Sequence, residues 1–354
     1  MSEDNRLRIA MIAPPWYPVP PNGYGGIEAM VADLITGLDG RGHDVVLIGA
    51  GPAGEVPGRY LATLEEAPTK RIGEGMPELL HLARAARFLN EQAIDVVHDH
   101  TAVGPLTARG RAAPTIVTAH GPVDDEIGEY YRDLGTSVSL VAISESQRRQ
   151  APDLHWSGVV HNAIDVSSYP YREDKDDFAL FLGRCNPEKG VHLAIDAARA
   201  AGRRIVLAAK INEQPEQEYF DAAVRPRLGP DVEHVGEADA DEKRQLMAAA
   251  YCFLFPIRWE EPFGLVMIEA MACGTPVVAL GRGAVPEVVA DGVTGFVRTE
   301  LDQLPEAIDG VSRVSAADCR EHVERNFDLK IMTAGYERIY RSVLQRPEDA
   351  RATG

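Results

Sequence analysis

The chain has 354 residues, with 45 % apolar and 25 % charged side chains, which suits about two globular domains and excludes disordered or collagen-like architectures. Its 36 basic against 54 acidic residues leave a formal net charge of −18, which argues against a nucleic-acid or anionic-membrane surface, since both need a basic face. The cysteines Cys185, Cys252, Cys273 and Cys319 lie far apart without a CxxC pair, so reduced thiols and a cytoplasmic location are expected.

The amino terminus, MSEDNRLRIAMIAPPWYP, has an apolar run too short for a signal peptide. No segment approaches the ~18 uninterrupted apolar residues of a membrane span, so no integral membrane segment is expected. Peripheral contact with a lipid-linked substrate stays open. Residues 7–13 read as a buried strand, followed by the loop PPNGYGG and the helical pattern IEAMVADLITGL, whose Ile27, Met30, Val31, Leu34 and Leu38 share one face. Short runs rich in Val and Ile at 45–48, 94–98, 115–119 and 140–143 continue the series, as buried parallel strands do. After the acidic stretch REDKDD, further strands are expected at 178–182, 205–209, 232–235, 252–255 and 276–279, again separated by helical patterns. Strand and helix alternation predicts two doubly wound α/β domains, Rossmann-like, joined near 167–177. Leu329, Met332, Tyr336, Ile339 and Val343 recur at steps of three and four and predict a terminal amphipathic helix.

The most informative segment is WEEPFGLVMIEAMACGTPVVAL, residues 259–280. Pro262 is read as starting a helix whose first amides, at Phe263, Gly264, Leu265 and Val266, face an anion with the positive end of the dipole. Glu261 precedes that helix and Glu269 is placed two turns inside it. Two carboxylates beside a phosphate site would repel it unless each accepts hydroxyl hydrogen bonds, which suggests a ribose or a sugar. Earlier in the chain, FLGRCNPEKG places Arg184 and Lys189 at the carboxyl end of a strand, where cations would stabilise a leaving diphosphate. Gly25 and Gly26 open the first helix, letting backbone approach a ligand closely. His120 ends a strand where ligands of open α/β sheets bind. His98 and His100 also end a strand, and without a completing carboxylate or Cys motif they read as acceptor contacts or strand-end packing rather than metal ligands.

The segment from Glu261 to Glu269 resembles the E-x7-E motif of glycosyltransferase family 4, retaining enzymes of the GT-B fold, and the likeness covers essentially the whole chain. The resemblance implies two Rossmann-like domains facing a central cleft: an acceptor domain at 1–168, a nucleotide-sugar donor domain at 175–327, and a helix at 328–346 crossing back. It implies that Glu261 faces the donor sugar, Glu269 binds the ribose, Arg184 and Lys189 bind the diphosphate, Gly25 and Gly26 abut the phosphates, and His120 lies near the reacting sugar. The base pocket is expected near Val235 to Glu237, including Gly236 and Glu237, after a strand of the donor domain. Tyr24, His100, Asp124 and Glu145 are acceptor-side candidates by position alone. Lys210 stands where a small residue is commoner in the family.

Three other matches carry less. GAGPAG at 49–54 satisfies G-x-G-x-x-G, but Pro52 and Pro57 forbid the helix that a dinucleotide site needs. DAD at 239–241 is assigned to helix capping, and DKD at 174–176 to solvated linker charge. No metal or cofactor is therefore expected. The resulting expectation is metal-independent, retaining transfer of a sugar from a nucleoside diphosphate sugar to a hydroxyl acceptor. A nucleotide-sugar epimerase or hydrolase of the same fold, or a non-catalytic sugar-nucleotide binding protein, is the alternative.

Overall fold

The computed structural model describes residues 6–21, 23, 25–52 and 54–345. The chain forms two compact units, Met1–Ala163 together with Leu329–Gly354, and Ile164–Asp328. In the first unit the strands are β1 (Arg8–Ile12), β2 (Asp44–Gly49), β3 (Arg59–Ala62), β4 (Val96–Asp99), β5 (Thr115–Ala119), β6 (Ser139–Ala142) and β7 (Trp156–Val159). They make a 7-stranded sheet in the order β3-β2-β1-β4-β5-β6-β7, parallel throughout. The helices of this part of the chain are α1 (Gly26–Gly40), α2 (Gly75–Glu91), α3 (Asp125–Leu134) and α4 (Glu145–Gln150).

The second unit holds β8 (Ala179–Arg184), β9 (Ile205–Lys210), β10 (Val232–His234), β11 (Cys252–Phe255), β12 (Val277–Leu280) and β13 (Gly295–Arg298). They form a 6-stranded sheet in the order β10-β9-β8-β11-β12-β13, also parallel. Its helices are α5 (Val191–Ala200), α6 (Gln214–Tyr219), α7 (Ala240–Ala249), α8 (Leu265–Ala272), α9 (Val285–Val288), α10 (Leu304–Gly310) and α11 (Ala316–Asn326). In each sheet the strand order reverses once, between β1 and β4 and between β8 and β11. A crevice for ligand opens at the carboxyl ends of strands at such a switch point.

The last helix, α12 (Leu329–Leu344), belongs to the first unit. Its Met332, Tyr336, Tyr340 and Val343 join the core formed by Ile9, Met11, Leu34 and Val45. Gly37 permits that packing, because a Cβ there would lie 2.1 Å from Thr333 Oγ1. Arg41 Nε donates to Glu337 Oε2 at 2.6 Å along the same seam.

Three strands that the apolar runs do not announce, β3, β7 and β13, are all sheet edges. An edge strand needs no continuous apolar run, since one flank meets solvent; β3 is exposed or half-buried along its length. DKD also departs from the expectation of solvated charge. Lys175 Nζ donates to Ala248 O, Cys273 O and Thr275 Oγ1 at 2.9, 3.0 and 2.9 Å, and burial lowers its pKa to about 8. It ties the segment after Ile164 to α7 and α8. Asp239, by contrast, does cap α7, with Glu242 completing a capping box.

Candidate active site

In the second unit the helix after β11 starts later than its sequence suggests. Gly264, in the left-handed region at φ 84°, is the N-cap, so Phe263 and Gly264 precede α8 and Glu269 stands little more than one turn inside it. The first intrahelical bond runs from Met267 N to Gly264 O at 3.0 Å, leaving the Leu265 and Val266 amides ahead of it. Phe263 is buried and packs edge-to-face on Phe327 with centroids 5.8 Å apart.

Each of the two carboxylates has its own lysine. Lys189 Nζ donates to Glu261 Oε2 at 2.6 Å, Trp259 Nε1 donates to the same oxygen at 3.0 Å, and the ammonium lies 5.0 Å from the Trp259 ring centroid. Lys243 Nζ donates to Glu269 Oε1 at 2.7 Å and the Tyr169 hydroxyl donates to it at 3.0 Å. Glu269 Oε2 is buried and, among the described residues, has no hydrogen-bond partner. Neither carboxylate is then a bare negative charge, which removes the repulsion an adjacent phosphate would meet. Lys243 and Tyr169 escape the sequence reading: KRQLMAAA reads as a capped helix, and Tyr169 carries no motif.

Arg184, at the end of β8, is held by acids: Nε donates to Glu216 Oε1 at 2.7 Å and Nη2 to Glu213 Oε1 at 3.1 Å. Burial raises the Glu216 pKa, but the Asn212 and Glu213 amides and Arg184 outweigh it and hold the carboxyl below its ordinary range. Lys210 pairs with Arg184 in register across β8 and β9 and is buried.

Another contributor without a sequence signal is Gly283, after β12. Its φ is 56°, and a Cβ would lie 2.2 Å from Glu261 O. Gly283 N donates to Glu260 Oε2 at 2.7 Å and Ala284 N to Glu261 O at 2.8 Å, so the loop fixes the Glu261 backbone. Gly236 follows β10 at φ 83°, and Glu237 is exposed, accepting from Asn212 Nδ2 at 3.1 Å. A cavity of about 430 Å³ lined by Phe178, Val235, Ala238, Glu242 and Leu246 runs along α7 and includes none of the cationic pairs.

In the first unit, His100 and His120 follow β4 and β5, and His100 Nδ1 lies 2.8 Å from His120 Nε2. Gln147 fixes the backbone on both sides of His120: Nε2 donates to Ala119 O at 2.8 Å and to Gly121 O at 2.7 Å, while Ile143 N donates to Oε1 at 2.8 Å. His98 serves packing. Its Nδ1 is 2.7 Å from Tyr340 Oη and its Nε2 2.8 Å from Thr118 Oγ1, so it anchors α12. Gly25, at φ 142°, is the N-cap of α1, and Gly26 is the first helical residue. Glu28, in that first turn, is buried, and desolvation raises its pKa to about 7 against an opposing bond from its own amide. Asp124 occupies the N-cap of α3 without a side-chain cap bond. Glu145 opens α4 and pairs with Arg148 at 2.8 Å. Tyr24 lies outside the described residues. Among the described residues no His, Cys, Asp and Glu cluster has metal-site geometry, and no helix is long and apolar enough to cross a membrane.

Residues 24–168 match the family model Glycosyltransferase Family 4, and residues 169–318 match Glycosyl transferases group 1. The chain belongs to glycosyltransferase family 4. This glycosyltransferase is 31 % identical to alpha-maltose-1-phosphate synthase of Mycolicibacterium smegmatis, over 82 % of this chain and 84 % of that one. It is 26 % identical to phosphatidyl-myo-inositol mannosyltransferase of the same organism, over 95 % and 94 % of the two chains. Among solved structures, AviGT4, a glycosyltransferase involved in avilamycin A biosynthesis, superposes with a TM-score of 0.75 at 29 % identity, covering 96 % of this chain and 98 % of that one. Alr3699/HepE from Anabaena, solved in complex with UDP and glucose, has a TM-score of 0.72 at 21 % identity over 95 % and 100 %. The glycosyltransferase thus has the GT-B type of fold, built of two parallel α/β units, and is a hexosyltransferase-type enzyme.

Proposed function

We propose that this glycosyltransferase moves a sugar from a nucleoside diphosphate sugar to a hydroxyl acceptor with retention of configuration and without a metal ion. The observation that carries this reading is the buried, unpartnered Oε2 of Glu269, held in place by Lys243 and Tyr169 through the other oxygen. A buried carboxylate oxygen without a donor is costly, and a ribose hydroxyl supplies the missing hydrogen bond. Positive potential for the diphosphate comes from Arg184, Lys189 and the Leu265 and Val266 amides at the start of α8, in place of a divalent cation. Glu261, steadied by Lys189 and Trp259, positions the donor sugar. The departing diphosphate oxygen, stabilised by the cations, takes the proton of the incoming hydroxyl on the same face. His120 in the first unit contacts a substrate hydroxyl.

One relative is named for maltose 1-phosphate synthesis and another for mannosyl transfer, and the neighbour solved with UDP and glucose supports a nucleotide as one half of the donor. The buried, unpaired cysteines suit a cytoplasmic enzyme. Thermal stabilisation by a panel of UDP-, GDP-, ADP- and TDP-sugars, with and without EDTA, tests the reading, since a ligand at 100 times its Kd stabilises by about 2.7 kcal/mol. One responding donor, insensitive to EDTA, is expected. No response refutes nucleotide-sugar binding, and a response abolished by EDTA refutes metal independence. Proton NMR of the product's anomeric centre then decides retention.

A further inference from the structure

His100 and His120 form a directional pair whose polarity is fixed from one end. His100 Nε2 lies 3.0 Å from Met11 Sδ. A thioether sulfur has no hydrogen to give and only accepts, so the ring nitrogen facing it carries the proton. Burial holds His100 well below its ordinary pKa and lowers His120 to about 4. Each imidazole is therefore neutral near pH 7 and carries a single ring hydrogen. With its hydrogen on Nε2, His100 offers a bare Nδ1, and the 2.8 Å contact to His120 Nε2 requires that His120 be the donor. The single hydrogen of His120 is then committed to His100.

From this geometry we infer that Met11 and His100 are positioning residues that lock His120 as its Nε2–H tautomer, presenting a bare Nδ1 that accepts a hydrogen bond from a substrate hydroxyl. The hydroxyl's part in this rests on the function proposed above. Two further contacts hold the pair rigid. The His98 ring packs on His100 with centroids 4.0 Å apart, and Gln147 clamps the carbonyls flanking His120. His120 so arranged can select a hydroxyl in one orientation, but it cannot donate to a carbonyl or phosphate oxygen through Nδ1. His98, bonded to Tyr340 and Thr118, supports the pair from the side of α12.

Long-range ¹H–¹⁵N correlation on the ligand-free full chain with ¹⁵N-labelled histidine reads both tautomers, with His100→Asn and His120→Asn giving the assignments. The expected result is an Nε2–H tautomer for both rings; an Nδ1–H or doubly protonated His120 overturns the inference. Kinetics with whichever nucleotide sugar stabilises the enzyme supply the second arm. His100→Asn places an amide oxygen near the position of Nδ1 and keeps an acceptor, whereas His100→Leu fills the space without one. The Leu variant is expected to lose about tenfold or more in kcat/KM, as removal of a histidine's orienting partner does elsewhere, and the Asn variant to recover most of it. The reverse order, with Leu the better replacement, would mean that His100 only fills space and would overturn its positioning role. If no nucleotide sugar binds, the proposed function falls and the hydroxyl's role with it, while the tautomers are still decided by the spectrum of the free protein.

Discussion

Lys243 Nζ lies 2.7 Å from Glu269 Oε1, joining the first turn of α7 to the middle of α8. The pair leaves the second, buried carboxylate oxygen without a hydrogen-bond partner among the described residues. Lys243→Met removes the cation from an almost buried acid, which costs on the order of 2 kcal/mol and about 5 °C in Tm. Combining it with Glu269→Gln removes the uncompensated charge and is expected to restore part of that loss. Differential scanning fluorimetry of the two variants decides this; equal Tm values would deny the coupling.

Glu269→Gln alone leaves the fold intact and weakens donor binding, because the amide is a poorer acceptor for a ribose hydroxyl than a carboxylate. The expected signature is a raised donor KM with a nearly unchanged kcat. An unchanged donor KM would argue against the ribose assignment.

Arg184 already makes two charge-assisted bonds to Glu213 and Glu216, which orient the guanidinium at the end of β8. If the same group stabilises the leaving diphosphate, Arg184→Ala costs on the order of 10²-fold in kcat/KM, as loss of a preorganised donor does elsewhere. Activity within about threefold of the parent would remove Arg184 from the mechanism.

Most strands are legible because a parallel sheet buried on both faces demands unbroken apolar runs, as in the five-residue β1. The edge strands β3, β7 and β13 lack that demand and leave no comparable trace. At the site, Arg184, Lys189, Glu261 and Glu269 stand out because charge at strand ends and helix starts is chemically conspicuous. Lys243, Tyr169, Gln147 and Gly283 do not, because each acts on a residue distant in sequence: Lys243 is 26 residues from Glu269 and Tyr169 is 100. The start of α8 differs from the sequence expectation for a local reason. Proline suits a first helical turn, but here Gly264 adopts the left-handed N-cap conformation and postpones the helix to Leu265.

Gly283→Ala tests that last class of contact. A Cβ would fall 2.2 Å from Glu261 O and 2.4 Å from Glu261 N, at a backbone φ of 56° that disfavours other residues. The loop and Glu261 must shift apart. A lowered Tm and a smaller stabilisation by the responding nucleotide sugar are expected together, whereas a variant with parental values of both would show that the clasp is dispensable.

Glu28 gives a pH dependence whose sign follows from burial. Its carboxyl lies in the first turn of α1, and desolvation raises its pKa from 4.5 to about 7, so the folded state favours the protonated form. Below pH 4.5 the group is neutral both folded and unfolded and costs nothing. As the pH rises toward 7 the unfolded chain ionises first, and stability is lost progressively, by on the order of 3 kcal/mol above the folded pKa at about 1.4 kcal/mol per unit. Glu28→Gln stays neutral throughout. Its Tm relative to the parent is therefore expected to rise between pH 5 and pH 8, and a difference that stays flat over that range would show that Glu28 ionises freely in the folded protein.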